Sequence, residues 1–551
     1  MEVDVAIAGG GPFGLMLAIE LGRRGISVAL FDAKTGTAFN PQANATQART
    51  MEYFRRLGFA DEVRELGLPS TYPTDIAYFT RYAAHELGRF RLPSSGKARD
   101  MVASNTGSWT AAEPPHRVSQ KFVEPVLLKH ARAAGDTEIR FGWKLTGFED
   151  VGGHVTCHVA AVDGSGRETL RARYLVGADG ARSMVRKALG IDLAGEFGQR
   201  RDFMGGRMYA VYLRCPDFHA ATGCEPAWMH WTFNTERRAF MAAVDGKGDF
   251  AFHTQLHEDE DEDSLTDADA KALFQQACGA AIDCEILSHM GWTAGHALVA
   301  DRFRAGRVFI GGDAAHLFTP TGGLGYNTAV EDAVNLGWKL AATLAGHAGT
   351  ALLDSYGFER RKSALRNTAY ARAFADSIGN YRPDPGLEDD SAAGRALRRA
   401  AGAYLEDHAR REFNIPGITF GTRYDGSPVL PQPDGPIPED AANGYAQTGL
   451  PGGRAPHWWL AGGASLFDLF GFDWTLLCLG PGGDDAERGQ GLIAEAKARG
   501  LRLEVVELAE PEIRAAYGAD LVLVRPDQVV GWRGVSVDDP VAVWTLLLGQ
   551  G

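Results

Sequence analysis

Residues 3–32 constrain the fold of this chain more than any other stretch. Val3, Val5, Ile7 and Ala8 form a short apolar run that reads as a buried parallel strand. Gly9, Gly11 and Gly14 follow with G-x-G-x-x-G spacing, and LMLAIELGRRG continues as an apolar-periodic helix. A second strand, SVALFD, ends at Asp32, 18 residues beyond Gly14. The glycines allow a tight turn, close backbone approach to a pyrophosphate, and close packing of helix on strand. The helix N-terminus offers free N–H groups and a positive dipole end to that anion, and the Asp32 carboxylate can accept a ribose hydroxyl. This register predicts a Rossmann-type dinucleotide site built from Gly9, Gly11, Pro12, Phe13, Gly14 and Asp32.

The rest of the composition fits a large multidomain enzyme. At 551 residues the chain is long enough for more than one core. A formal net charge of −14 argues against nucleic acid or an anionic membrane as the main partner. No run of eighteen apolar residues occurs and the chain opens directly on a strand, so neither a membrane span nor a signal peptide is expected. The six cysteines make no C-x-x-C pair and no zinc-like spacing. They read as reduced thiols in a cytoplasmic protein with no metal site. The acidic run HEDEDEDS at 257–264 reads as a solvated loop.

Two later segments repeat the strand-to-turn-to-helix pattern. In LVGADGARSMVR (175–186), Gly177, Asp179 and Gly180 turn the chain, and Arg182, Ser183 and Arg186 open a helix. In RVFIGGDAAHLFTPTGGLGYNT (307–328), Gly311, Gly312 and Asp313 follow a strand and a glycine-rich loop runs from Pro320 to Thr328. With the first motif, these resemble the DG and GD motifs of class A FAD-dependent aromatic hydroxylases. RTMEYFRRLG, TPTGGLGYNT and LLDSYGFERR are most similar to the branch of phenol, dichlorophenol and hydroxybiphenyl monooxygenases. PGGRAPHWWL, SLFDLFG and LVRPDQVVGWRG resemble the thioredoxin-like C-terminal domain of that family, here without a C-x-x-C.

The resemblance implies an α/β fold in three parts. A discontinuous Rossmann-type FAD-binding domain is expected over 1–75, 105–190 and 291–380. A mixed β-sheet substrate domain is inserted at 76–104 and 191–290, where MYAVYLRC, AWMHWTFNT, RAFMAAV and DFAFHTQL are strand-like. A helical linker at 381–410 leads to a thioredoxin-like domain at 411–551. Analogy also favours a homodimer.

Cofactor contacts carried over from the resemblance extend beyond the first motif. Asp179 lies at the pyrophosphate, Gly312 and Asp313 at the ribitol, and Pro320, Gly323, Gly325, Tyr326 and Asn327 against the isoalloxazine ring. Gln120, in RVSQKFVEP, matches the glutamine that leads a second FAD-contacting helix, with Arg117 beside it. Arg49 matches the RTME arginine, with a helix-surface ion pair as its other reading. Gln42 stands where many relatives carry Arg or Lys, and Asn44 where the hydroxybiphenyl enzymes carry His. Asn44 cannot serve as a base, so no substrate-deprotonating residue is assigned. Trp228, His230 and Trp231, with Asn44 and Pro320, are the candidate pocket residues, although alternation prevents the first three from all facing one side. His316 reads as a structural turn residue.

The implied activity is FAD- and NAD(P)H-dependent insertion of one oxygen of O2 into a phenolic or polycyclic aromatic, through a flavin C4a-hydroperoxide. The alternatives are a Baeyer–Villiger-type or other flavin oxygenase on the same scaffold, or a flavin dehydrogenase.

Overall fold

The computed structural model describes residues 2–199, 201–480 and 485–551. Its first sheet has a parallel centre. Strand Glu2–Ala8 lies between Val28–Asp32 and Arg167–Gly177, with Thr137–Phe141 beyond the former and Val308–Ile310 beyond the latter. The register aligns Phe31, Ala8, Gly177 and Ile310 in one row. Three turns spread over some 300 residues of the chain therefore leave the same carboxyl edge, where open α/β sheets bind ligands. Helix Pro12–Gly22 is buried over almost its whole length and packs on helix Leu324–Leu344. The approach is close enough that a Cβ on Gly337 would meet Glu20 Cβ at 2.6 Å.

A second, seven-stranded sheet is assembled from Ile76–Phe79, Glu86–Phe90, Gly206–Arg214, Met229–Thr232, Ala239–Ala243, Asp249–Gln255 and Glu285–Ala294. Only Ile76–Phe79 and Met229–Thr232 pair in parallel. The last strand runs to Ala294, across the domain boundary expected at 290. Helix Asp267–Cys278, closed by a Thr266–Asp269 capping box, packs on this sheet. Helix Ala392–Phe413 covers most of the expected linker and packs on the edge strand Glu86–Phe90, where Gly402 lets the backbones touch: a Cβ there would lie 2.0 Å from Leu87 O. No helix among the described residues is long and apolar enough to cross a membrane.

The C-terminal sheet orders Leu503–Glu507, Trp474–Cys478, Leu521–Val524 and Val530–Gly534, with helices Gln490–Ala498 and Pro540–Leu547 packed together beside it. It joins the first domain through buried charges. Glu359, on the 30-residue helix Thr350–Gly379, accepts hydrogen bonds from both Arg525 Nη atoms at 2.9 Å and from Lys339 Nζ at 2.6 Å. Arg525 also pairs with Asp527 at 2.6 Å. Arg49 belongs to the same interface: its guanidinium donates to Glu52, to Gln528 and to the Asp527 carbonyl. It is buried there, so the surface ion pair and the cofactor role both give way to interdomain anchoring.

Candidate active site

The first turn is shaped by steric exclusion. Gly9 has φ +117, and a Cβ there would fall 2.0 Å from Ala178 O; one on Gly14 would fall 2.0 Å from Gly9 O. Gly11, the N-cap of Pro12–Gly22, instead faces open space, with no protein atom within 4 Å of its Cβ position. Asp32 is held across the turn, its Oδ2 accepting Gly10 N–H at 2.6 Å and its Oδ1 accepting Lys34 N–H at 2.7 Å. Phe13 is buried beneath the third motif, where its ring occupies the space a Gly311 side chain would need.

The second turn is stabilised from within. Asp179 accepts the Ser183 hydroxyl and the Met184 and Val185 amides, so its carboxylate caps helix Met184–Ala188 and is not aimed into the cleft. Arg186 donates to Ala181 O and Ala314 O, tying the second motif to the third. Asp313 projects into the cleft, and burial of its surroundings pushes its carboxyl pKa up. His316 is fully buried with Nε2 2.7 Å from Asp332, which also binds Arg360 and the Gly312 amide. It is a structural residue of the turn.

The glycine-rich loop ends in a helix N-terminus. Gly322 and Gly323 both have φ +63, and helix Leu324–Leu344 begins directly after them. Asn327 faces away from the cleft: it accepts from Gln47 N and Thr50 Oγ1 and donates to Ala45 O and Gly323 O. It thereby fastens residues 45–50 to the loop. Tyr326 Oη and Thr46 Oγ1 are buried beside each other, and Asn44 Oδ1 is buried without a partner among the described residues. Gln42 and Pro320 are exposed, and Gly325 is half-buried on the first turn of the helix. Gln120 donates to Glu124, whose other oxygen accepts Ala38 N–H; this pair holds the loop 38–43 across the cleft. Sequence reasoning did not find Glu412, which reaches from helix Ala392–Phe413 to accept the Gly322 amide at 2.9 Å. Nothing near Glu412 in the chain marks it, because the contact spans 90 residues.

The seven-stranded sheet turns one face to this cleft. Cross-strand register places Tyr78, Trp231, Phe240, His253, Ala210 and Met290 on it. Met290 Sδ and the neighbouring Ser288 meet Asn40, and Tyr212 meets Lys121, so this is the face toward the first domain. Trp231 stacks on Phe240 at 4.8 Å between centroids, Phe240 on His253 at 4.6 Å, and Trp292 meets His253 edge-on at 5.9 Å. Tyr78 Oη, the Trp231 and Trp292 Nε1 atoms, His253 Nδ1 and Gln255 Oε1 are buried without partners among the described residues. Phe203 extends this wall from Trp231 to a cavity of about 350 Å³ that Gln255 and Arg238 also line.

Two expectations need correction. His230 pairs with Met241 and Ala77, on the opposite face, and stacks on Phe79, so it does not line the cleft. Alternation excluded one of the three residues, and the structure shows that His230 is one that faces away. Arg117, expected as a cofactor contact beside Gln120, packs against the seven-stranded sheet instead. Its guanidinium lies 3.8 Å over the Trp228 ring, with no ion pair among the described residues, and burial lowers its pKa to about 9. Trp228 also meets Phe413 edge-on, placing it at the end of the strand.

A dinucleotide fits this arrangement. Open space lies in front of Gly11 and the N-terminus of Pro12–Gly22, Asp313 projects a carboxylate with no ion pair among the described residues, and Asn44 Oδ1 is buried nearby without a partner among them. Comparison with known proteins agrees. The FAD binding domain family matches residues 2–371, and the aromatic-ring hydroxylase C-terminal family matches residues 448–547. The chain is 33% identical to aklavinone 12-hydroxylase RdmE of Streptomyces purpurascens, over 97% of this chain and 95% of that protein. It is 29% identical to phenol 2-monooxygenase of a Pseudomonas strain, over 100% of this chain and 96% of that protein. The structure of the rebeccamycin biosynthetic enzyme RebC with reduced flavin superposes with a TM-score of 0.87 at 33% identity, covering 100% and 99% of the two chains. The chain belongs to the FAD-dependent aromatic-ring hydroxylases, flavoprotein monooxygenases that take FAD as cofactor and NAD(P)H and O2 as co-substrates.

Proposed function

We propose that this enzyme hydroxylates a polycyclic aromatic carrying several hydroxyl or carbonyl groups. The observation that carries this reading is the wall formed by Trp231, Phe240, His253 and Trp292, with its buried polar atoms left unpaired. Stacked aromatic faces favour an extended planar ring system. Each unpaired polar atom favours a ligand that supplies its missing partner. The names of relatives such as aklavinone 12-hydroxylase support the same class.

In this reading the residues have separate tasks. The amides at Gly11 and the start of Pro12–Gly22 hold the FAD pyrophosphate, Asp32 a ribose hydroxyl, and Asp313 the ribitol. The amides opening Leu324–Leu344 favour negative charge on the ring system resting against Gly323 and Gly325. FAD, when bound and reduced by NAD(P)H, supplies the electrophilic oxygen. The loop 38–45 and the aromatic wall keep water from the reacting centre. His253, its pKa lowered to about 4 by burial, is neutral at pH 7 and accepts a hydrogen bond from a substrate hydroxyl.

A panel of simple phenols, bicyclic and polycyclic aromatics tests the proposal, with NAD(P)H oxidation, H2O2 and product mass measured together. The expected result is coupled oxidation and a product one oxygen heavier with the polycyclic members, and largely H2O2 with simple phenols. Coupled turnover confined to single-ring phenols would overturn the polycyclic reading. We also propose a cytoplasmic enzyme, supported by six free cysteines, and a homodimer by family analogy, to be tested by sedimentation.

A further inference from the structure

The face of the seven-stranded sheet turned away from the flavin cleft carries a side-chain cluster with no part in the hydroxylase site. His219 lies on the short helix Phe218–Thr222, Cys224 follows the left-handed Gly223, and His230 lies on strand Met229–Thr232. Their donor atoms all lie within 4.8 Å of one another. Cys224 Sγ is 3.6 Å from His219 Nδ1. A sulfur and a nitrogen bound to one tetrahedral zinc ion, at about 2.3 and about 2.0 Å from the metal, stand about 3.5 Å apart.

The cluster is short of partners. His230 is fully buried, and the Glu225 backbone is the one polar neighbour of its ring, which leaves at least one ring nitrogen without a partner among the described residues; His219 Nε2 is buried and unpaired among them as well. A neutral imidazole carries one N–H and one lone pair, and leaving either unmatched in the interior is destabilising. The rings of Phe79, Tyr82 and Phe218 pack around His230 and hold it in place. The polar contacts within the cluster include Thr222 Oγ1 donating to Cys224 Sγ at 3.0 Å, Cys224 N–H donating to Thr222 Oγ1 at 3.3 Å, His219 Nδ1 at 3.3 Å from Cys224 O, and the Glu225 backbone at the His230 ring. Among the described residues no fourth His, Cys or carboxylate joins the three.

We propose that His219, Cys224 and His230 form a structural binding site for one d10 cation, Zn2+ or Cu+. Thiolate and imidazole donors select these ions, and neither ion has a d-electron preference that three protein ligands would violate. Cys224 binds as thiolate and its proton passes to solvent; no oxidation state changes. The ion ties helix Phe218–Thr222 to the sheet and binds one His230 nitrogen while the other keeps the Glu225 backbone. The H-x4-C-x5-H spacing matches no common zinc signature, because helix, turn and strand bring the three together only after the chain reverses direction.

The test uses the full-length FAD-loaded enzyme after treatment with a chelator. Zn2+ and Cu+ are added in separate arms against competing chelators, and bound metal is counted by elemental analysis. Co2+ is a spectroscopic stand-in for Zn2+, read by its d–d bands at wavelengths beyond the flavin absorption. The expected result is one ion per chain in one arm, a higher Tm, and at least tenfold weaker binding in both Cys224→Ser and His219→Gln. His219→Gln alters the least buried of the three residues, and both variants are checked for an unchanged flavin spectrum and circular dichroism. Substoichiometric binding to the wild type in both arms overturns the proposal, as does wild-type affinity in either variant.

Discussion

At the scale of single residues, the glycines of the first turn divide into two kinds that the motif alone does not distinguish. Gly9 is required by the protein itself, because its φ of +117 and the Ala178 carbonyl exclude a side chain. Gly11 faces only the space where a pyrophosphate fits. Gly9→Ala is therefore expected to destabilise the apoprotein by about 3 kcal/mol or more. Gly11→Ala is expected to leave apoprotein Tm within a degree or two while weakening FAD binding at least tenfold, or about 1.4 kcal/mol. Apoprotein melting and FAD titration of the two variants check this; equal losses of Tm would show that Gly11 too is a packing residue. Residues with a local steric duty leave a readable trace in sequence. Glu412 and His253 leave none, since each acquires its role from an element distant in the chain.

At the scale of elements, helix Ala48–Arg56 is a docking element, and Glu52 is its centre. Its buried carboxylate accepts from Arg454 and Arg49 and from the Ala112 amide at 3.1 Å. Burial alone would raise its pKa, but Arg454 and Arg49 outweigh burial and hold it down at about 2. A carboxylate depressed on folding stabilises the protein above its unfolded pKa, near 4.5, and loses that contribution as pH falls toward 2. The contribution is about 3 kcal/mol. Glu52→Gln should be less stable than wild type at pH 7 by about that amount, and the gap should close between pH 4.5 and pH 2. Urea unfolding at a series of pH values measures it; a gap independent of pH would assign the loss to packing. The elements were more legible than their faces. The strand holding Trp231 was readable from AWMHWTFNT, but which alternate residues meet the cleft depends on pairing with Phe240 and Tyr78, and that register is not local.

At the scale of the whole molecule, the three motifs predicted one sheet edge and the structure supplies it, in the row Phe31, Ala8, Gly177 and Ile310. That much was legible because glycine turns after apolar strands follow from local sterics. The interdomain charge network was not, because Glu359, Lys339 and Arg525 look like ordinary charged residues until the fold buries them. Their burial makes the C-terminal domain part of the flavin domain's stability. Removing one partner leaves an uncompensated charge, which costs about 3–5 kcal/mol, whereas replacing a whole cluster with apolar residues can be nearly neutral. Arg525→Leu should therefore lower Tm strongly and also weaken FAD binding, since Glu359, Asn335 and Lys339 link the network to helix Leu324–Leu344. Because buried charges cross the interface, the two domains should unfold in one calorimetric transition in the wild type. In Arg525→Leu the C-terminal domain should melt first as a separate transition. Two transitions already present in the wild type would mean that the network joins domains that are stable without each other.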